Sequence, residues 1–287
     1  MKIIRSISEM HQAAAAIRQT GGRLALVPTM GALHAGHASL MRRAGADGAA
    51  VVVSIYVNPT QFGPQEDYNR YPRDLDRDAA LCAGEAEDIV FAPVDTEMYP
   101  AAGCGDTAPA ASTWVEELAL AKRFEGERRP GHFRGVCTVV AKLFNIVQPD
   151  RAAFGQKDFQ QLAVITRMAR DLCYPIEIIP VPTVRESDGL ALSSRNRYLN
   201  PSERTQATCL WNALNTAKDL VASGERRVAT LQAGLRRTLQ LVPAIRLDYA
   251  EIVSAETLEP VNDVNSGDIA LIAAYLGQTR LIDNLRL

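Results

Sequence analysis

Through the first two thirds of the 287-residue chain, short unbroken apolar runs alternate with longer segments whose apolar positions recur at helical spacing. RLALVP (23–28), AAVVVSIYVN (49–58), DIVFAP (88–93), RAAFG (151–155) and IEIIPVP (176–182) are strand-like, and their Val/Ile/Leu density suits strands buried on both faces. Between them, GVCTVVAKLFNIVQP aligns Val136, Val139, Val140, Leu143, Phe144 and Val147 on one helical stripe that Pro149 ends. DFQQLAVITRMARDL predicts another helix, with Asp158 placed to cap it. This alternation predicts an α/β fold, a Rossmann-like parallel sheet with helices on both faces.

The pattern changes after about residue 185. NPSERTQATCLWNALNTAKDLVASG and RRVATLQAGLRRTLQL have helical period, and RLDYAEIVS, DIALIAAYLG and RLIDNLRL read as strands. The expectation is therefore two domains, 1–185 Rossmann-like and 186–287 a smaller α+β C-terminal domain closing over the site. RESDGLALSSRNRYLNPSE (185–203) is the expected hinge, with a turn at Asp188-Gly189. The long polar stretch QFGPQEDYNRYPRDLDRD (61–78) reads as a lid. His11 falls on an amphipathic N-terminal helix as a surface residue, and Trp114 and Trp211 read as packing.

Composition narrows the partners. With 47% hydrophobic residues the chain can build a full core, and 31 Lys plus Arg against 33 Asp plus Glu gives no field that favours nucleic acid or an anionic membrane. The five cysteines (Cys82, Cys104, Cys137, Cys173, Cys209) are odd in number and scattered, which predicts reduced thiols and a cytoplasmic setting. The start lacks the apolar core of a signal peptide and no run is long enough to span a membrane, so a soluble, unprocessed protein is expected.

Four segments concentrate candidate chemistry. PTMGALHAGHASL (28–40) follows a strand and opens a helix, a place where free backbone N–H groups and the helix dipole face an anion. It has neither G-x-x-x-x-G-K-[ST] nor G-x-G-x-x-G; His34 and His37 stand where those loops carry glycine and lysine, able to donate toward one phosphate. A capping histidine beside a surface one is the plainer alternative. Zinc is poorly supported, because no Glu lies inside the motif and no third ligand is near, so no protein metal ligand is assigned. NPTQF puts Asn58 and Gln61 at a strand's carboxyl end, where neutral amides suit a hydroxylated acid, although Asn-Pro alone reads as a turn. FGQKDFQQL (154–162) offers Gly155, Lys157 and Asp158 at a strand-to-helix junction, and equally reads as a capped helix with a solvated lysine. LSSRN (192–196) carries two hydroxyls and a guanidinium suited to pyrophosphate, or is a polar loop. In RRPGHFRGV (128–136) His132 reads as structural and Arg129 as a weak candidate.

HAGH resembles the H-x-G-H signature of the nucleotidylyltransferase and class I aminoacyl-tRNA synthetase superfamily. Within it, VPTMGALHAGHASL, NPTQF, G-x-K-D-x-x-Q (Gly155, Lys157, Asp158, Gln161) and LSSRN, in this order, resemble the pantothenate synthetase (pantoate–β-alanine ligase) family across essentially the whole chain. The resemblance implies an ATP-dependent condensation of pantoate with β-alanine through pantoyl adenylate, giving pantothenate, AMP and pyrophosphate. It implies that His34, His37, Lys157 and Arg195 stabilise the reacting phosphates, aided by Mg²⁺. ATP contacts are implied at Met30, Gly31, His34, His37, Gly155, Gln156, Lys157, Asp158, Val184 through its backbone, Leu192, Ser193, Ser194 and Arg195. Gln61, Gln161, Asn58 and Arg129 are implied for pantoate and β-alanine, and a homodimer is implied for the assembly. The rivals are a nucleotidylyltransferase that transfers AMP or CMP to a phosphorylated substrate and a module that senses ATP without chemistry.

Overall fold

The computed structural model describes residues 1–64, 66–85, 88–100 and 112–287. The strands are β1 (Lys2–Ile4), β2 (Leu24–Thr29), β3 (Ala50–Ile55), β4 (Ile89–Phe91), β5 (Arg151–Gly155), β6 (Glu177–Val181), β7 (Ile245–Val253), β8 (Ile269–Leu276) and β9 (Thr279–Arg286). The helices are α1 (Ile7–Gln19), α2 (Ala35–Ala44), α3 (Leu75–Gly84), α4 (Asp95–Met98), α5 (Glu125–Arg128), α6 (His132–Val147), α7 (Phe159–Asp171), α8 (Pro201–Gln206), α9 (Cys209–Ala222) and α10 (Val228–Gln240). The chain divides into two compact units: Met1–Gln156 with Val164–Val181, and Lys157–Ala163 with Pro182–Leu287.

The first unit holds a six-stranded sheet in the order β1-β4-β3-β2-β5-β6, every pair of which is parallel. Its strands are apolar on both faces: Leu24, Ala25, Leu26 and Val27 in β2 and Val52 and Val53 in β3 are fully buried. That is why they read as continuous runs rather than alternations. The order reverses direction at β2, with β3 on one side and β5 on the other, and a parallel sheet binds ligands at the carboxyl ends of its strands beside such a switch. The segments TMGALHAGH, NPTQF and GQ leave the sheet at the carboxyl ends of these three adjacent strands. α6 is buried along most of its length and stops where Gln148 takes a left-handed conformation before Pro149.

The second unit contains the antiparallel sheet β7-β8-β9 with α9 and α10. One apolar cluster joins them, including Leu210, Leu214, Leu231, Leu235, Ile252 and Ile272.

Differences from the expected elements have local causes. The expected strands at 49–58 and 88–93 shorten to β3 and β4, and the expected single helix from 200 to 224 splits into α8 and α9 around Ala207 and Thr208. β1, only three residues long and at the sheet edge, had no apolar run to announce it. The turn at Asp188-Gly189 forms: Gly189 has φ +94° and the Asp188 carboxylate accepts from the Leu190 amide. The polar stretch 61–78, of which Gln65 lies outside the described residues, is anchored rather than a free loop. Phe62 packs edge-on against Tyr68 and Tyr71, and α3 begins at Leu75. His11 is exposed. Cys82, Cys137, Cys173 and Cys209 form no disulfide among the described residues; Cys104 lies outside them.

Candidate active site

The turn after β2 satisfies its own backbone. Gly31 N–H donates to Thr29 Oγ1 at 3.1 Å, and the amides of Ala32 and Leu33 both donate to the Asp78 carboxylate at 2.8 Å. Asp78 comes from α3 and is 1% exposed; burial pushes its carboxyl above the ordinary value while the two amides pull it back. Gly31 has φ +81°, and a Cβ there would stand 2.8 Å from Asp78 Oδ2. His34 caps α2: its Nδ1 accepts from Gly36 N–H at 3.1 Å, and His37 Nδ1 accepts from His34 N–H at 3.2 Å. This is a capping box in which imidazoles replace the usual hydroxyl and carboxylate. A Cβ at Gly36 would fall 2.8 Å from His34 Cε1, so only glycine leaves room for that ring.

The expectation of free amides awaiting an anion is therefore corrected. The amides of residues 31–34 and of Gly36 already end on Thr29, on Asp78 of α3 and on the two imidazoles, so they are not free donors. What the cap leaves is chemically specific. Because each Nδ1 lone pair receives a backbone N–H, each neutral ring carries its proton on Nε2. The ring centroids lie 4.2 Å apart, with the ring planes tilted by 45°.

The NPTQ segment forms a second corner. Asn58 is fully buried; its Nδ2 donates to Gln61 Oε1 at 3.1 Å and to the Gly135 carbonyl at 3.2 Å. Its Oδ1 accepts from the Thr60 hydroxyl at 3.0 Å and from Tyr99 OH at 2.9 Å. The amide imagined as a direct donor to a bound acid is thus spent on the scaffold around Gln61. Gln61 Nε2 faces Met30 Sδ at 3.1 Å, which brings together two of the expected binding residues. The Gln61 carbonyl accepts from His132 Nδ1–H at 2.8 Å. Arg129, another candidate, donates to His132 Nε2 at 3.0 Å and forms a two-pronged pair with Glu66 at 2.9 and 2.6 Å. Burial raises the Glu66 carboxyl, but the Arg129 hydrogen bonds and charge outweigh it, and the net displacement is downward.

Gly155 ends β5 with no heavy atom within 4 Å of where a Cβ would stand, so protein packing does not require its glycine. Gln156 follows it, half-buried.

The second unit carries the remaining candidates. Lys157 Nζ lies 3.8 Å from the Asp158 carboxylate, and the Lys157 carbonyl accepts from Asn284 Nδ2 at 2.8 Å. Gln161 is half-buried, whereas its neighbour Gln160 is buried. The Leu192 amide donates to the Val184 carbonyl at 3.0 Å, which closes a narrow loop around the Asp188-Gly189 turn. Ser193 caps the short 3-10 helix Ser194–Tyr198, its hydroxyl accepting from the Arg195 amide at 3.2 Å. Arg185 pairs with Asp283 at 2.6 and 2.8 Å and lies 3.7 Å over the Trp211 ring. Arg204 from α8 reaches Glu186 and Asp188, each at 2.8 Å.

Asp78, Tyr99 and Gly135 were missed by sequence reasoning, and His132 was read there as structural. Asp78 had one legible sign: it sits on the apolar stripe Leu75, Ala79, Cys82, where a carboxylate is out of place unless it is bonded.

The family model for pantoate-beta-alanine ligase matches residues 2–286. The chain belongs to the pantoate–β-alanine ligase family. This ligase is 51% identical to the pantothenate synthetase of Moorella thermoacetica over 285 residues, which covers 99% of this chain and 98% of that one. It is 52% identical to that of Thermotoga neapolitana, covering 99% of each. Among solved structures it is similar to pantothenate synthetase from Thermus thermophilus, with TM-score 0.91, 46% identity and 99% of both chains covered. It is also similar to the Francisella tularensis pantoate-beta-alanine ligase complexed with beta-gamma ATP and beta-alanine, with TM-score 0.79, 33% identity, 100% of this chain and 97% of that one covered.

Proposed function

We propose that this pantothenate-forming ligase works in two steps, with its residues divided as follows. A carboxylate oxygen of pantoate attacks the α-phosphorus of ATP, forming pantoyl adenylate and releasing pyrophosphate. The amine of β-alanine then attacks the activated carbonyl, the amide bond forms and AMP leaves. Neither step needs a nucleophile from the protein; the demand is alignment and stabilisation of charge on the phosphoryl oxygens.

The observation that carries this reading is the doubly capped turn, which fixes both imidazoles as Nε2–H donors. We assign those donors to the ATP phosphates, with His37 stabilising the charge that grows during attack. Lys157 and Arg195 take the phosphates and leaving pyrophosphate, and Ser193 and Ser194 join them. Met30, Gly31, Gly155, Gln156, Asp158, Val184 and Leu192 form the rest of the ATP contacts; the open space beside Gly155 supports its part. Gln61 and Gln161 take pantoate. Asn58 and Arg129, whose polar groups are bonded around Gln61, act through it. Mg²⁺ would arrive as part of the ATP substrate and would offset charge on its phosphates. In this scheme 1–185 is the ATP- and pantoate-binding domain and 186–287 the smaller one, although residues 157–163 and 182–185 belong to the second compact unit. The assembly is a homodimer and the setting cytoplasmic in this scheme.

ATP–pyrophosphate exchange with and without pantoate, followed by addition of β-alanine, tests the scheme. Pantoate-dependent exchange, then amide and AMP on adding the amine, is the expected result. Nucleotide transfer that ignores the amine, or ATP binding without exchange, overturns it.

A further inference from the structure

We propose that His132 is a positioning residue for pantoate binding, acting through the main chain of Gln61. The proposal rests on the reading that Gln61 contacts pantoate.

Gln61 lies in the single 3-10 turn Pro59–Gln61. Such a turn has little structure of its own to fix where its last side chain points. It is fixed from outside instead. The first turn of α6 approaches so closely that a Cβ at Gly135 would sit 2.3 Å from the Thr60 carbonyl oxygen and 2.7 Å from Gln61 Cα. Asn58 ties the Gln61 side chain to that same turn by donating to both Gln61 Oε1 and the Gly135 carbonyl. The Gln61 carbonyl remains, and His132 Nδ1–H takes it at 2.8 Å.

The chemistry of the imidazole is forced from both sides. A carbonyl can only accept, so Nδ1 carries the proton; Arg129 Nη1–H can only donate, so Nε2 carries the lone pair. Burial, reinforced by the Arg129 charge, holds the His132 pKa down to about 4, and the ring is neutral at working pH. Glu66, bound at both oxygens by Arg129, holds the guanidinium in place. A line Glu66–Arg129–His132 thus ends on the residue assigned to the acid substrate. The hydrogen bonds of Glu66, Arg129 and His132 end on one another and on Gln61, not on a residue assigned to ATP, so their loss is expected to bear first on pantoate.

The variants His132→Ala, His132→Asn, His132→Gln and Gln61→Ala separate the possibilities, each checked for fold by circular dichroism and thermal midpoint. In pantoate-dependent ATP–pyrophosphate exchange, His132→Ala is expected to raise KM for pantoate about tenfold or more with KM for ATP within about twofold. Asparagine places its Nδ2 donor near the position of the imidazole Nδ1, so His132→Asn should restore KM for pantoate to within about threefold. Glutamine carries its donor one atom further out and should not. Equal damage from asparagine and glutamine, or a rise in both KM values together, overturns the positioning role, and this comparison stands even if the alanine variant fails to fold. If Gln61→Ala leaves KM for pantoate unchanged, the underlying assignment of Gln61 falls and the inference falls with it. If Gln61→Ala raises that KM while the His132 variants do not, the inference alone fails.

Discussion

The histidine turn after β2 and the segment from Val184 to Asn196 are both short connections bearing candidate phosphate-binding groups, yet they are held by opposite means. The turn is held by buried groups: the Ala32 and Leu33 amides end on the Asp78 carboxylate of α3, and those of His34 and Gly36 on ring nitrogens within three residues of them. The later segment is closed by its own backbone bonds and tied to its surroundings by arginines. Arg185 has one buried anchor in Asp283, but Arg204 holds Glu186 and Asp188 where all three side chains are a quarter or more exposed. A buried network in which each group is satisfied specifies one geometry, while exposed ion pairs are screened and specify weakly. Under the proposed scheme, stiffness suits the groups assigned to the phosphates before reaction, and compliance those assigned to a departing pyrophosphate.

The contrast can be broken at several points. Replacing His37 by alanine should cost about 100- to 1000-fold in pantoate-dependent pyrophosphate exchange, as for loss of one preorganised donor to a developing oxyanion; near-normal exchange would remove His37 from the chemistry.

The buried wiring around Gln61 should also leave a pH signature. His132 is held at about 4 against an ordinary 6.5, so between those values the unfolded chain binds the extra proton and the native one does not. Stability is therefore full above pH 6.5 and is lost as pH falls toward 4, by about 3 kcal/mol across the window. Urea unfolding at pH 7 and pH 5 should show part of this loss in the parent and much less in His132→Asn.

Asp78→Asn turns an amide NH₂ toward backbone N–H groups inside the fold and should destabilise by about 1–3 kcal/mol in the same assay. An unchanged midpoint would mean that the turn does not depend on its carboxylate. Arg204→Gln should have the smallest effect, below about 1 kcal/mol, and the difference from the parent should shrink further in 1 M salt. A larger effect of Arg204→Gln than of Asp78→Asn would reverse the comparison.

Most of the parallel sheet was legible because strands buried on both faces are continuous apolar runs. Helix ends were less so: no Gly or Pro marks the break at Ala207 and Thr208. The histidines were legible as a pair at a strand-to-helix turn, but their role as caps was a matter of ring orientation. The partners that complete the site were hidden for a different reason. Asp78 meets Leu33 from 45 residues away, and His132 meets Gln61 from 71. Such roles are set by which strands and helices become neighbours, and local periodicity carries no record of that. Asn58 and Arg129 show the converse: sequence marked them as polar and well placed, yet their hydrogen bonds are directed at the scaffold.

The position of β2 between β3 and β5 has a consequence for the order of events at the ribosome. β3 follows β2 closely, but its other neighbour begins only at Arg151. Until that stretch has been made, β2 presents a bare hydrogen-bonding edge beside a finished histidine motif. The nascent chain thus has a window in which the histidine turn is already spelled out but lacks half of the floor beneath it.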